Sequence, residues 1–158
     1  MNRHALTVLQ YPEALAIVAG HASSALGREA VESLLPSDAA GWIEPELRRV
    51  DQMAAFLLRD EEWAIPPIPD LRVPLRRLGV PGTVWEGGWL RDAATLIGSA
   101  RRARRALRGS ATDYPLLAEL ADRIVELDAE VERIERAIDD AGDVRDAASR
   151  ELTRIRRE

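Results

Sequence analysis

Between Leu116 and Ile138 the apolar residues Leu117, Leu120, Ile124, Leu127, Val131, Ile134 and Ile138 succeed one another at steps of three and four. At 3.6 residues per turn these steps return to one side of an α-helix, whereas the faces of a strand alternate every second residue. The stretch therefore predicts amphipathic helix. Its remaining positions are mainly acid, arginine and alanine, with Glu119 and Arg123, and Glu132 and Arg136, four apart and placed to pair on the wet side. Three such heptads suit either a coiled-coil seam or one helix of a packed bundle. Nothing in them does chemistry.

The same rhythm organises most of the chain. Pro12 suits the first turn of a helix that Leu6, Val8 and Leu9 lead into and that runs to about Ala22, with Leu15, Val18, Ala19 and Ala22 inward. Ser23 or Ser24 caps a second helix, closed by Leu34-Leu35-Pro36. Ser37-Asp38 starts a third, with Ile43, Leu47, Val50, Ala54 and Leu57 as its inner stripe; Pro45 either kinks it or marks its start. Residues 60–82 carry Pro66, Pro67, Pro69, Pro74 and Pro81. They predict an extended strap with one helical turn around Leu75 to Leu78, anchored by Trp63, Ile65, Ile68, Leu71 and Val73.

Trp85 or Glu86 opens the next helix, although Gly87-Gly88 weakens its first turn. It faces inward through Ala93, Leu96, Ile97, Ala100, Ala103 and Leu107 and ends at Gly109-Ser110. Thr112-Asp113 and Pro115 start the heptad stretch. Asp139-Asp140-Ala141-Gly142 is a turn signal, Asp143-Val144-Arg145 a short extended piece, and Asp146 or Ser149 caps a last helix carrying Leu152 and Ile155. The expected fold is all-α: a multi-helix bundle with a Pro-rich connecting strap and at most one very short β hairpin or extended piece near 143–146. Residues 1–158 are expected to form a single helical module.

Composition narrows the function. The chain has no Cys and no Lys, so a disulfide framework, thiolate chemistry, a P-loop lysine and a Schiff base are all excluded from it. Two His cannot build a multi-histidine metal site. The longest apolar run, Ala14 to Ala19, is too short to span a bilayer, and the first residues do not open a secretory signal, so a cytoplasmic location with no membrane partner is expected. The net charge of -5 argues against wholesale nucleic-acid binding, yet Arg91 to Arg108 holds six Arg against one Asp.

On that basic helix Arg101, Arg102, Arg105 and Arg108 lie away from Leu96, Ala100 and Leu107, with Arg104 at the edge. They are candidate nucleic-acid contacts, each guanidinium able to fork onto a phosphate. The competing reading is a solvated face that balances the acidic C-terminal third, and the missing interleaved aromatics favour it. Asp139, Asp140, Asp143 and Asp146 do not make a calcium loop: Val144 stands where the sharp-turn Gly belongs, and position twelve has no Glu. His21 beside Ser23 and Ser24 is expected to be structural. Trp42, Trp63, Trp85 and Trp89 are expected to seal the strap to the helices. No catalytic, cofactor-binding or metal-binding residue is assigned.

Taken in order, several blocks resemble the N-terminal segment of the type-two MutS family, the bacterial MutS paralogue that lacks the mismatch-reading domain. They are Leu9-Gln10-Tyr11, the run from His21 to Glu29, Leu35-Pro36-Ser37-Asp38, Pro69-Asp70-Leu71-Arg72, Leu75-Arg76-Arg77 and Ala100-Arg101-Arg102-Ala103. The most specific block runs from Ile134 to Ser149, with Glu151-Leu152 and Ile155-Arg156 after it. Departures are Trp85-Glu86-Gly87-Gly88, where the family has Ser-Pro-Glu-Glu, Arg150 in place of the proline after the last cap, and the absence of a proline near Asp128 that splits the heptad stretch. Residues 116–138 are thus one helix or two.

The resemblance implies the N-terminal part of a MutS-like core domain, with a lever helix that begins near 149 and is truncated. It implies a homodimeric parent with clamp arms, an ATPase using ATP and Mg, and usually a nuclease domain. That parent acts on branched DNA, in suppression of recombination, or on stalled ribosomes. This chain itself would be no enzyme and hold no cofactor; it would transmit nucleotide state to the clamp arms. Its partners would be the remaining lever, clamp and ATPase segments, with DNA or the ribosome reached through the parent. The alternative is a stand-alone helical protein-interaction or dimerisation module.

Overall fold

A computed structural model of the chain describes residues 3–59 and 63–156. The start of the strap, residues 60–62, and both chain ends lie outside the described residues. These contain nine α-helices and no sheet, so the all-α expectation is met. They divide into two compact units, residues 1–65 with 104–123, and residues 66–103 with 124–158.

The first unit begins with α1 (Arg3–Val8), α2 (Tyr11–Ala19) and α3 (Ala25–Glu32), with α1 packed on α2 and α2 on α3. Six residues of α1 are too few to show a periodic pattern, and the sequence had suggested only a lead-in there. Gln10, in the left-handed conformation at φ 54°, turns the chain between α1 and α2. Pro12 occupies the first turn of α2, where its missing N–H costs nothing. Ser24 caps α3, its Oγ accepting from the Gly27 amide at 3.0 Å.

Helix α4 (Ala40–Arg59) continues through the Pro45 position, so Pro45 does not mark its start. Its covered side is one residue out of register with the expected stripe. Phe56 is 3% exposed, with Glu46, Arg49 and Met53 half-buried; of the expected stripe Ile43 is half-buried too, while Leu47, Val50, Ala54 and Leu57 face outward. Phe56 wins because two aromatic rings meet it. Trp63 stands edge-on to it at 5.2 Å between centroids and Tyr114 at 5.8 Å, geometries that the ring quadrupoles favour. Helix α7 (Pro115–Asp122) packs on α4, burying Leu117 and Ala121, and Gln52 accepts from the Leu116 amide at its N-terminus.

The second unit opens with the extended part of the strap. Leu71 is buried and Trp63 half-buried, but Ile65, at the end of the first unit, and Ile68 and Val73 are exposed, so two of the five expected anchors are covered. The expected turn is helix α5 (Arg72–Leu78), with Pro74 buried. Helix α6 (Gly87–Gly109) begins in this unit and ends in the other. Ala93, Ala94 and Ser99 of α6, Val131 of α8 (Asp128–Ala137) and Ile138 supply the unit's buried side chains alongside Leu71 and Pro74.

Residues 116–138 are therefore two helices. The break falls at Arg123–Leu127, across the β-branched pair Ile124-Val125; Asp128 and Glu130 then lie in the first turn of α8, where the helix dipole favours acids. Beyond α8, Ile138 and Val144 form an isolated antiparallel bridge, the short β piece expected there, and Ser149 caps α9 (Arg150–Ile155) through the Leu152 amide.

Candidate functional site

The block from Ile134 to Ser149 folds into a turn that holds the start of α6. Asp139 Oδ1 accepts from the amides of Ala141 and Asp143, both at 2.9 Å, and the Asp139 amide donates to the Asp143 carbonyl. The Asp143 amide bond is the main reason the Asp139 carboxyl lies below its ordinary range; Ala141, Arg145 and Gly142 add to the shift against some desolvation. Arg145 ties the turn back to α8, its Nε donating to the carbonyls of Glu135 and Ile138. Asp140, at the tip, pairs with Arg91 of α6 at 2.5 Å.

Gly142, at φ 87°, lets the loop close in the left-handed conformation. Its carbonyl oxygen lies 1.8 Å from where a Cβ on Gly87 would stand. Only glycine at 87 permits this backbone-to-backbone approach. The glycine pair that weakens the first turn of α6 on propensity alone is thus half explained: Gly87 is a contact requirement, while Gly88 has open space around it. The doublet in the sequence was the available signal, but its partner lies 55 residues on and no local pattern names it.

The four candidate nucleic-acid contacts have local partners to different degrees. Arg101 pairs with Asp128 at 3.2 Å, and Arg108 with Asp122 at 2.8 Å, in both cases an acid of the C-terminal third. Arg102 donates to Ser99 Oγ at 3.0 Å, holding a buried hydroxyl. Arg105 is exposed. In the second unit a cleft of about 190 Å³ lies between α6 and α8, where Arg91, Arg101 and Arg102 meet Thr95, Gly98 and Glu135. The sequence had assigned no role to Arg91 in that grouping.

No group of His, Asp and Glu that could hold a metal ion occurs among the described residues. Ser24 is committed to its cap and His21 is exposed. Trp85 Nε1 donates to the Pro74 carbonyl at 3.0 Å, and the Arg77 guanidinium lies 5.3 Å over the Trp89 ring, so both tryptophans fasten the strap region as expected; Trp42 is exposed. Among the described residues no helix is long and apolar enough to cross a membrane.

A helical scaffold with short caps, a clamped turn and arginines paired to its own acids is the class that this geometry defines. Comparison with known proteins gives the family. The chain is 43% identical over 161 residues to "Endonuclease MutS2" of Gemmatimonas aurantiaca, a match covering 100% of the chain and 20% of that protein. It is 33% identical to the Symbiobacterium thermophilum protein of the same name and 31% to that of Geobacillus sp. strain WCH70, again over essentially its whole length and 20% of theirs. A family model described as "Protein of unknown function (DUF1192)" matches residues 116–150. The chain belongs to the type-two MutS family, matching the N-terminal fifth of its members.

Proposed function

We propose that the chain is a non-catalytic helical core segment of a MutS-like DNA-binding ATPase and endonuclease, and that it transmits nucleotide state toward clamp arms. The parent would be a cytoplasmic homodimer acting on branched DNA in suppression of recombination, or on stalled ribosomes, with ATP and Mg bound outside this chain. The observation that carries this reading is the match along the entire chain to one-fifth of the MutS2 relatives. The exposed face of α4, with Leu47, Val50, Leu57 and Leu58, also suits a piece that packs against further parts of such a protein.

Transmission needs stiff elements with defined seats. Gly142 against Gly87, Asp140 on Arg91 and Arg145 on the end of α8 supply one such seat in the second unit, joining the turn to the helix it steers. A hybrid in which this chain replaces the corresponding fifth of the Gemmatimonas aurantiaca protein tests the reading. The hybrid should hydrolyse ATP at the parental rate. With Gly87→Val it should keep hydrolysis but lose the effect of nucleotide on branched-DNA binding. ATP hydrolysis or strand cleavage by the isolated 158-residue chain would overturn the proposal.

A further inference from the structure

The cleft between α6 and α8 carries chemistry that the mechanical role does not use. Arg91, Thr95, Gly98 and Arg102 are spaced at four, three and four residues, so they share one face of α6, and Arg101 flanks them. Gly98 leaves the middle of that face without a side chain, opening about 190 Å³ in a polar-lined hollow. Glu135 of α8 lines the same hollow, so three guanidiniums share it with one carboxylate.

From this convergence we infer that the cleft is a phosphate-binding site, with Arg91, Arg101 and Arg102 as donors and Thr95 lining its floor. A guanidinium presents five N–H donors in a planar fork that fits phosphate oxygens, and each of these arginines has donors to spare beyond its present bond. The bonds already in place are exchangeable. Arg91 holds Asp140, whose side chain is 85% exposed, and Arg101 holds Asp128, at 53%. Exposed pairs of this kind contribute little, so a phosphate group whose oxygens engage three arginines at once can displace both aspartates. The site differs from a ridge running out to Arg105 and Arg108: it adds Arg91 and omits those two.

The phosphate can belong to a free ion or to a nucleic-acid backbone, and two titrants separate the sources. The arginine Nε–H resonances of the 158-residue chain are followed by NMR at low salt while inorganic phosphate, or a short DNA duplex, is added. The signals of Arg91, Arg101 and Arg102 should move together with one titrant or both, and the titrant that moves them names the source. Arg102→Gln should weaken binding at least fivefold and Arg105→Gln by less than twofold. Gly98→Leu should fill the hollow and weaken binding similarly while the helical circular dichroism is retained; Arg102→Gln, at an exposed position, keeps the test valid if Gly98→Leu fails to fold. The inference is overturned if neither titrant moves the three signals, or if Arg105→Gln weakens binding as much as Arg102→Gln.

Discussion

Asp70 is the residue at which local geometry has the clearest electrostatic consequence. The Arg72 guanidinium donates to both of its oxygens, and the Arg72 amide adds a further bond, bringing its pKa from 3.8 down to about 2. A depressed folded-state pKa gives a stability contribution that is complete above the unfolded value of 3.8 and is lost as pH falls through about 2. Carbon-detected NMR titration should therefore place the Asp70 carboxyl midpoint near 2, and Asp70→Asn should flatten the acid limb of the melting curve between those values. A midpoint at the ordinary 3.8 would mean that the Arg72 bonds do not form in solution. At Gly87 the effect is steric. Gly87→Val should cost roughly 3 kcal/mol or more, because the Gly142 carbonyl occupies the space and both partners are backbone. Gly88→Ala, with nothing nearby, should be neutral or stabilising by up to about 1 kcal/mol. Urea melts of the two neighbours give a direct comparison.

At the scale of elements, the heptad stretch shows how one apolar stripe serves two helices. Leu117 and Ala121 are buried in the first unit, Val131 and Ile138 in the second, and the chain between them leaves the helix. Asp128 is the first residue of α8, a position that tolerates the fixed φ and missing N–H of proline. Asp128→Pro should thus change stability by no more than about 1 kcal/mol, the loss of its exposed pair with Arg101 included. Val131→Pro, one turn further in, removes a helical hydrogen bond and a buried side chain and should cost roughly 3 kcal/mol or more. Equal melting of the two variants would show that the helix start lies elsewhere.

Across the whole molecule, each unit has its own small core, and a large share of its apolar side chains face outward. Leu117, 2% exposed, should lose about 2–5 kcal/mol on Leu117→Ala. Leu58, 81% exposed, should tolerate Leu58→Glu within about 0.5 kcal/mol in this chain. Thermal melts check both. In the hybrid described above, the proposed setting covers the α4 face, and the same Leu58→Glu change should lower the melting temperature. An unchanged melt in both settings would leave that face uncovered and remove it as support for the core-segment reading.

Helix boundaries were largely legible in the sequence because their causes are local: Pro12 in a first turn, Ser24 and Ser149 as caps, Gly109 as a stop. The all-α class followed from period alone, and the family resemblance from the order of short blocks. Which side of α4 is covered did not, since Leu47 and Val50 carry the stronger stripe and only the meeting of Phe56 with Trp63 and Tyr114 turns the helix the other way. The Gly87–Gly142 contact and the cleft that brings Arg91 to Arg101 and Arg102 were equally hidden. Periodicity reports what a residue does within its own turn of chain. Contacts between residues tens of positions apart exist only once the helices have packed.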